Sequence, residues 1–299
     1  MNVSDAAWRS SNLGTRLFAA SGRVIAVKLA AVHAAGFADI TVAQLALFHV
    51  LDRGGTRLTT LATRARLSKA SMAELVDRAE AGGMVVRRID PADARGRIVA
   101  ATAAGDALLA ALATGLAAAE ADTVAAIGPA ATAWLREALV RYIAAGNVPP
   151  PPTHADWAGA NVGRVFALAA AQFTGEVAAA VAVKGFAVTP ALLGMARHLD
   201  LGGGRQTDLA AAARMTKPAM RELIDRGEAL GFVSRHADPA DGRARRIAFT
   251  PHGLALLDAV RIAIVVAEAD FAATVGAAAA VDVARSLAQL ASGEHCTDA

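Results

Sequence analysis

The chain has 299 residues, 30 Lys and Arg against 27 Asp and Glu, and an apolar content of 55% with aromatics at only 4%. That alanine-rich balance points to a mainly α protein with enough chain for two ordinary domains, and the net charge of +3 matters less than where the arginines sit. A single cysteine, Cys296, excludes an internal disulfide and fits a reducing cytosol, and the opening MNVSDAAWRSSN lacks the basic-then-apolar pattern of an export signal.

The elements follow in chain order. Asn12–Ala35 reads as a long opening helix, and a second helix is expected to end at the glycine stops Gly54-Gly55. A short helix over Thr59–Arg66 comes next, then a turn and a further helix behind the N-cap candidate Ser68. In that further helix Met72, Leu75, Val76 and Ala79 fall at i, i+3, i+4 and i+7, which gives one packing face. Its other face carries Lys69, Ala70, Ala73, Glu74 and Asp77. Alternation then predicts a hairpin: strand Met84–Ile89, loop Asp90–Arg95, strand Arg97–Ala101. A Thr-x-x-Gly helix start at Thr102 closes the series. No apolar run is long enough to cross a bilayer without interruption, since Ile262–Ala284 is broken by Glu268, Asp270 and Asp282.

After GNVPPPPTHAD, a stiff proline-rich linker over 146–156, the same series begins again. A shift of 148 aligns Leu51–Leu109 with Leu199–Leu257, and 33 of the 59 positions are identical. Two copies of this length are two domains, 1–145 and 157–299, rather than a solenoid. In the second copy the opening helix is Asn161–Val183, the glycine stops are Gly202–Gly204, the short helix is Thr207–Arg214 and the N-cap candidate is Thr216. Met220, Leu223, Ile224 and Gly227 face inward, while Lys217, Pro218, Arg221, Glu222 and Asp225 face outward. The hairpin spans strands Phe232–Ala237 and Arg245–Phe249 around a loop at Asp238–Arg243.

A short helix pair with one packed face and short polar groups on the other can enter a DNA major groove, although any solvated amphipathic helix shows the same pattern. The following hairpin decides between them. Its arginines, Arg95 and Arg97 in one copy and Arg243, Arg245 and Arg246 in the other, suit phosphates and the electronegative minor groove. Glu-Leu-Val-Asp-Arg-x-Glu-x-x-Gly followed by Asp-Pro-x-Asp-x-Arg and Thr-x-x-Gly resembles the MarR family of bacterial winged helix-turn-helix regulators, over nearly the whole chain and twice.

The resemblance implies two winged helix-turn-helix repeats with small β-hairpin wings on a shared helical platform, a homodimer of the family fused into one polypeptide. Asp93 and Arg95, with Asp241 and Arg243, match the family's wing-tip Asp-x-Arg. Ser68–Asp77 and Thr216–Asp225 match its recognition helix, so Ser68, Lys69, Ala70, Ser71 and Ala73, and Thr216, Lys217, Pro218, Ala219 and Arg221, become the expected groove contacts. The first copy departs in lacking a counterpart to Arg246 and in having Ala94 where the second has Gly242, and is expected to read DNA more weakly.

The implied partners are double-stranded DNA and a small aromatic or phenolic ligand. Trp8, Arg16, His33, His49 and Phe48, with Trp157, Arg197, His198 and Phe173, lie on helices that would line a ligand cleft. Cys296 matches no sensing position. Scattered histidines and the lack of Gly-x-Ser-x-Gly or His-Glu-x-x-His point to no metal, no cofactor and no enzyme. The expectation is a cytoplasmic regulator, a monomeric pseudo-dimer reading an imperfect inverted repeat with its two recognition helices about one helical turn apart, roughly 34 Å. The competing reading is a ligand-binding or interaction module that kept the fold and lost DNA binding.

Overall fold

The computed structural model describes residues 7–65, 67–146, 161–213, 215–238 and 241–292. The first repeat runs α1 (Ala7–Ser11), α2 (Leu13–Ala34), α3 (Val42–Phe48), β1 (Thr56–Arg57), α4 (Leu58–Ala65), α5 (Lys69–Ala81), β2 (Val85–Asp90), β3 (Asp93–Ala101), α6 (Ala103–Ile127) and α7 (Pro129–Ala145). The second runs α8 (Val162–Val183), α9 (Pro190–His198), β4 (Gly204–Arg205), α10 (Gln206–Ala212), α11 (Lys217–Ala229), β5 (Val233–Asp238), β6 (Asp241–Phe249), α12 (Pro251–Val275) and α13 (Ala277–Ser292). The proline-rich linker and the tail with His295 and Cys296 lie outside the described residues.

Each repeat holds a three-stranded antiparallel sheet, ordered β1-β3-β2 and β4-β6-β5. The glycine pairs correct the sequence reading. The second helices end earlier, at Phe48 and His198, and Gly55 and Gly203 take φ values of 93° and 83° in the turn that leads into the outer strand. A positive φ favours glycine, so these pairs shape a turn rather than stop a helix. The hairpins are also longer than expected. Asp90 pairs with Asp93 and Ile89 with Arg97, which places Arg95 within β3 instead of in a loop.

The Thr-x-x-Gly starts have a packing reason. Thr102 Oγ accepts from the Gly105 N–H and donates to the Gly83 carbonyl, while Thr250 does the same with Gly253 and Gly231. A Cβ on Gly105 would sit 2.0 Å from the Met84 carbonyl oxygen, and one on Gly253 1.9 Å from that of Phe232. The cap fixes where α6 and α12 begin, and the glycine lets each helix touch the strand.

The packing units cross the boundary between the repeats. Unit one comprises Met1–Phe18, Arg141–Val148 and Leu168–Ala284, and unit two comprises Ala19–Val140, Pro149–Ala167 and Arg285–Ala299. In unit two, Leu45, Phe48, Leu61, Met72, Val76 and Leu108 form one core, each burial contributing about 1.5–3 kcal/mol before entropic cost. Arg23 on α2 forks onto Asp122 of α6 at 2.6 and 3.0 Å. In unit one, Arg9 donates to the carbonyls of Ala196, Arg197 and Leu199, satisfying the end of α9 with a cation.

Three helices, α2, α6 and α8, are long and apolar enough to cross a membrane by length and composition, which corrects the expectation that none qualifies. Alanine raises their mean hydropathy while burying little area. The ionic fork between Arg23 and Asp122 shows such helices packing against one another through charge.

Candidate functional site

The helix-turn-helix of each repeat is α4–α5 and α10–α11. Ser68 caps α5 by accepting from the Ser71 N–H at 3.0 Å, and Thr216 caps α11 by accepting from the Ala219 N–H at 3.3 Å. The Ser68 and Ser71 hydroxyls also lie 2.9 Å apart. These hydroxyls therefore hold the helix start. Met72, Leu75, Val76 and Ala79 are buried on α5, as are Met220, Ile224 and Gly227 on α11. Lys69, Ala70, Ser71, Lys217, Pro218 and Arg221 are exposed, while Ala73 and Ala219 are half-buried. Arg221 lies 3.9 Å from Asp225, one turn on.

The wing is aimed by a buried acid at its base. Arg57 Nε donates to Asp90 at 2.7 Å and its Nη2 to Asp93 at 3.0 Å. The second repeat places Arg205 on Asp238 at 2.6 Å. The Ala92 N–H, then the Arg57 guanidinium, hold the Asp90 carboxyl below the usual carboxylate range. Asp93 Oδ1 also accepts from the Arg95 N–H at 3.1 Å. Asp93 is thus a turn-former that presents Arg95, rather than a group that faces phosphate. Between the pairs Ile89↔Arg97 and Asp90↔Asp93 the ladder shifts register, so Ala94, Arg95 and Gly96 form a bulge of β3 that has no paired residue on β2. Arg95, Arg97 and Arg245 are exposed. The side chains of Asp241 and Arg243 lie outside those described.

Arg246 is corrected. Its Nη2 donates to the Gly202 and Gly203 carbonyls at 3.0 and 2.8 Å, so it anchors the turn before β4. In the first repeat Arg88 does this from the neighbouring strand, donating to the Gly54 carbonyl at 2.9 Å. Arg88 stands opposite Ile98, and His236 opposite Arg246. The anchor has moved across the hairpin, and the first wing lacks nothing by having Ile98.

Sequence reasoning missed the residues that lock each hairpin to α5 or α11. Arg87 donates to Asp77 at 2.5 Å and also grips Glu80, whose carboxylate accepts the Arg87 N–H at 2.9 Å. Arg235 repeats this with Asp225 at 2.6 Å and with Glu228. Identity in both repeats was the available signal for Arg57/Arg205 and Arg87/Arg235.

Unit one also holds a half-open cavity of about 80 Å³. Phe18, Phe173, Val177, Leu193, Leu256 and Ile264 give it apolar walls, and Trp8 and Arg197 are among its polar lining residues, with Arg9, Asn12, Thr15 and Thr174. The Arg197 guanidinium stacks 3.9 Å over the Phe18 ring. Its Nη1 and the Trp8 Nε1 are buried without a hydrogen-bond partner, and burial lowers the Arg197 pKa. Two unmet donors lining one apolar cavity call for an acceptor. His198 lies 3.1 Å from Arg197 and is pushed down to about 4, by burial first and then by Arg197 and Arg9, so it stays neutral near pH 7.

The other residues expected in a cleft are elsewhere. Arg16 donates to the Ala284 carbonyl at 3.0 Å, and exposed His33 lies 2.9 Å from the Ile40 carbonyl. Both positions fall on the predicted helices, but Arg16 is absent from the cavity lining and His33 belongs to unit two. His49 belongs to unit two, where its Nε2 lies 2.6 Å from the Lys28 ammonium. Trp157 lies outside the described residues. Among the described residues no cluster of three metal-ligating side chains occurs.

A helix-turn-helix followed by a hairpin pinned to its second helix defines the winged helix-turn-helix class. Residues 38–96, from the approach to α3 through the wing, match the model of the MarR family. The transcriptional regulator HosA of Escherichia coli O111:H- is 40% identical over 74 residues, 24% of this chain and 55% of that protein. The chain thus spans about half the length of this curated relative. Among solved structures, a MarR-family transcriptional regulator from Rhodococcus sp. RHA1 is 23% identical, covers 48% of this chain and 95% of that one, and has a TM-score of 0.36. CouR from Rhodococcus jostii RHA1, bound to p-coumaroyl-CoA, is 26% identical, covers 38% and 78%, and has a TM-score of 0.33.

Proposed function

We propose that the chain is a cytoplasmic, non-enzymatic transcriptional regulator of MarR type, a repressor that carries both DNA-reading halves in one polypeptide. One observation carries the reading: the same helix-turn-helix and pinned hairpin occur twice, each recognition helix opening on an exposed lysine, Lys69 or Lys217. The family match over 38–96 supports it for the first repeat, and the sequence repeat extends it to the second.

In this reading α5 and α11 enter successive major grooves of double-stranded DNA. Arg95 and Arg97, with Arg243 and Arg245, reach the flanking phosphates and minor groove. Lys69 and Lys217 fix register on the backbone. The groove-facing residues differ between the halves, so the operator is an imperfect inverted repeat. The cavity of unit one takes a small aromatic or phenolic acid as effector, its anionic end on Arg197, and binding relieves repression. A mobility-shift assay on the DNA upstream of the chain's own gene tests the reading. Retardation abolished by Arg95→Ala combined with Arg243→Ala supports it. Absence of any salt-sensitive DNA binding would leave the ligand-binding module as the better account.

A further inference from the structure

The two repeats have diverged where the cavity lies. The positions of the first repeat that correspond to cavity-lining Gly194, Ala196, Arg197 and Val177 are Ala46, Phe48, His49 and Lys28. In unit one, a Cβ added to Gly194 meets nothing within 4 Å, and Ala196 is a small residue beside it. In unit two, Phe48 is 2% exposed and packs with Leu45, Leu108 and Leu112 in the main core. The arginine that lines the cavity in one repeat is replaced in the other by a histidine already engaged with Lys28 at 2.6 Å. Lys28 itself is 7% exposed.

We propose that the chain has one effector site instead of two: the cavity of unit one binds a single aromatic monocarboxylate through Arg197 and Trp8, while the corresponding place in unit two is filled by Phe48 and the Lys28–His49 pair. This rests on the effector reading above. The ligand class follows from the donors. A carboxylate accepts from the Arg197 Nη1 and the Trp8 Nε1–H together, and an aromatic body fits walls built from Phe18, Phe173 and Leu256. In the second place the residue at the Arg197 position, His49, is engaged by Lys28. The Lys28 ammonium points at His49 Nε2, and the space that Ala196 leaves is taken by a phenyl ring.

A fusion makes such divergence accessible, because one gene holds both sites and each can change alone. A chain with one effector site responds to ligand without the steepness that two coupled sites give.

Isothermal calorimetry on the full chain, with benzoate, cinnamate and 1-naphthoate as probes, tests the proposal. The expected result is one site per chain for at least one probe. Arg197→Met weakens that binding about tenfold or more, Arg197→Lys restores part of it, and Lys28→Met leaves it unchanged. Gly194→Leu, which fills the open space at that position, abolishes it. Circular dichroism melts confirm that each variant is folded. Two equivalent sites per chain, or loss of binding in Lys28→Met with Arg197→Met unaffected, overturns the single-site proposal and leaves the effector reading standing. Failure of all three probes to bind overturns the effector reading and this proposal with it, while the DNA-binding assay stays independent of both.

Discussion

Lys28 shows how a single buried charge leaves a measurable mark. Burial draws its pKa down to about 8, and burial followed by the nearby ammonium pushes His49 down to about 3. From pH 6.5 to about 3 the unfolded chain takes up a proton at His49 that the folded chain refuses, so stability falls with acidification. Between about 8 and 10.5 the unfolded Lys28 keeps a proton that the folded one releases, so stability rises with pH. His49→Gln should flatten the acid arm. Lys28→Met should remove the alkaline arm and raise stability at neutral pH by about 1–3 kcal/mol, since it takes away a desolvated charge with no carboxylate opposite. Urea denaturation followed across pH checks both, and a destabilised Lys28→Met would mean the pair is a net gain. At the wing, Arg95→Ala should weaken DNA binding across all sequences and reduce the salt dependence by about one unit of slope.

Among the elements, α12 and α11 give the sharpest expectations. Gly253→Ala adds a Cβ 1.9 Å from the Phe232 carbonyl oxygen. The helix gains about 1 kcal/mol of propensity, but the helix start must move off the strand, at a net cost of about 1–3 kcal/mol. A thermal melt reads the sign directly; a variant as stable as the parent would show that the strand yields at no cost. On α11, exposed Arg221 can donate two hydrogen bonds to a guanine edge, whereas its counterpart Ala73 offers only apolar contact. Selection from random DNA should therefore return a site more stringent in one half, by about 1–3 kcal/mol at one base pair. Arg221→Ala should relax that half alone, and a symmetric consensus of equal stringency would defeat the claim.

At the scale of the molecule, unit one is built from Met1–Phe18 together with Leu168–Ala284. Residues near the N-terminus supply it with things the second repeat cannot supply itself. Arg9 satisfies three carbonyls at the end of α9, the Leu13 N–H donates to Glu268 at 2.8 Å, and Phe18 carries the Arg197 stack. The full chain should be a monomer of about 30 kDa by light scattering, while a fragment covering 146–299 should not. Deprived of Arg9 and Phe18, that fragment should pair with a second copy or aggregate, and a stable monomeric fragment would overturn the shared-unit account.

Local order was legible in the sequence because it is written in short-range chemistry. The N-caps Ser68 and Thr216, the apolar spacing on α5 and α11, and the turn at Asp90-Pro91 each act within a few residues, and the internal repeat made such signals appear twice in the sequence. Positions where the repeats agree carried further, which is why the wing and recognition helix could be placed. Long-range pairings were not legible. Nothing near Arg246 announces that it anchors Gly202 and Gly203, because that choice depends on which strand faces the glycine turn. Nor could sequence separate Arg197 from His33 as a cavity residue, since both are polar residues on alanine-rich helices and only the unit that each residue packs into decides. The membership of unit one, the unmet donors of Arg197 and Trp8, and the burial of Phe48 in the core of unit two arise from side chains far apart in the chain. Those were decided by packing, where the burial of one group fixes what remains open to another.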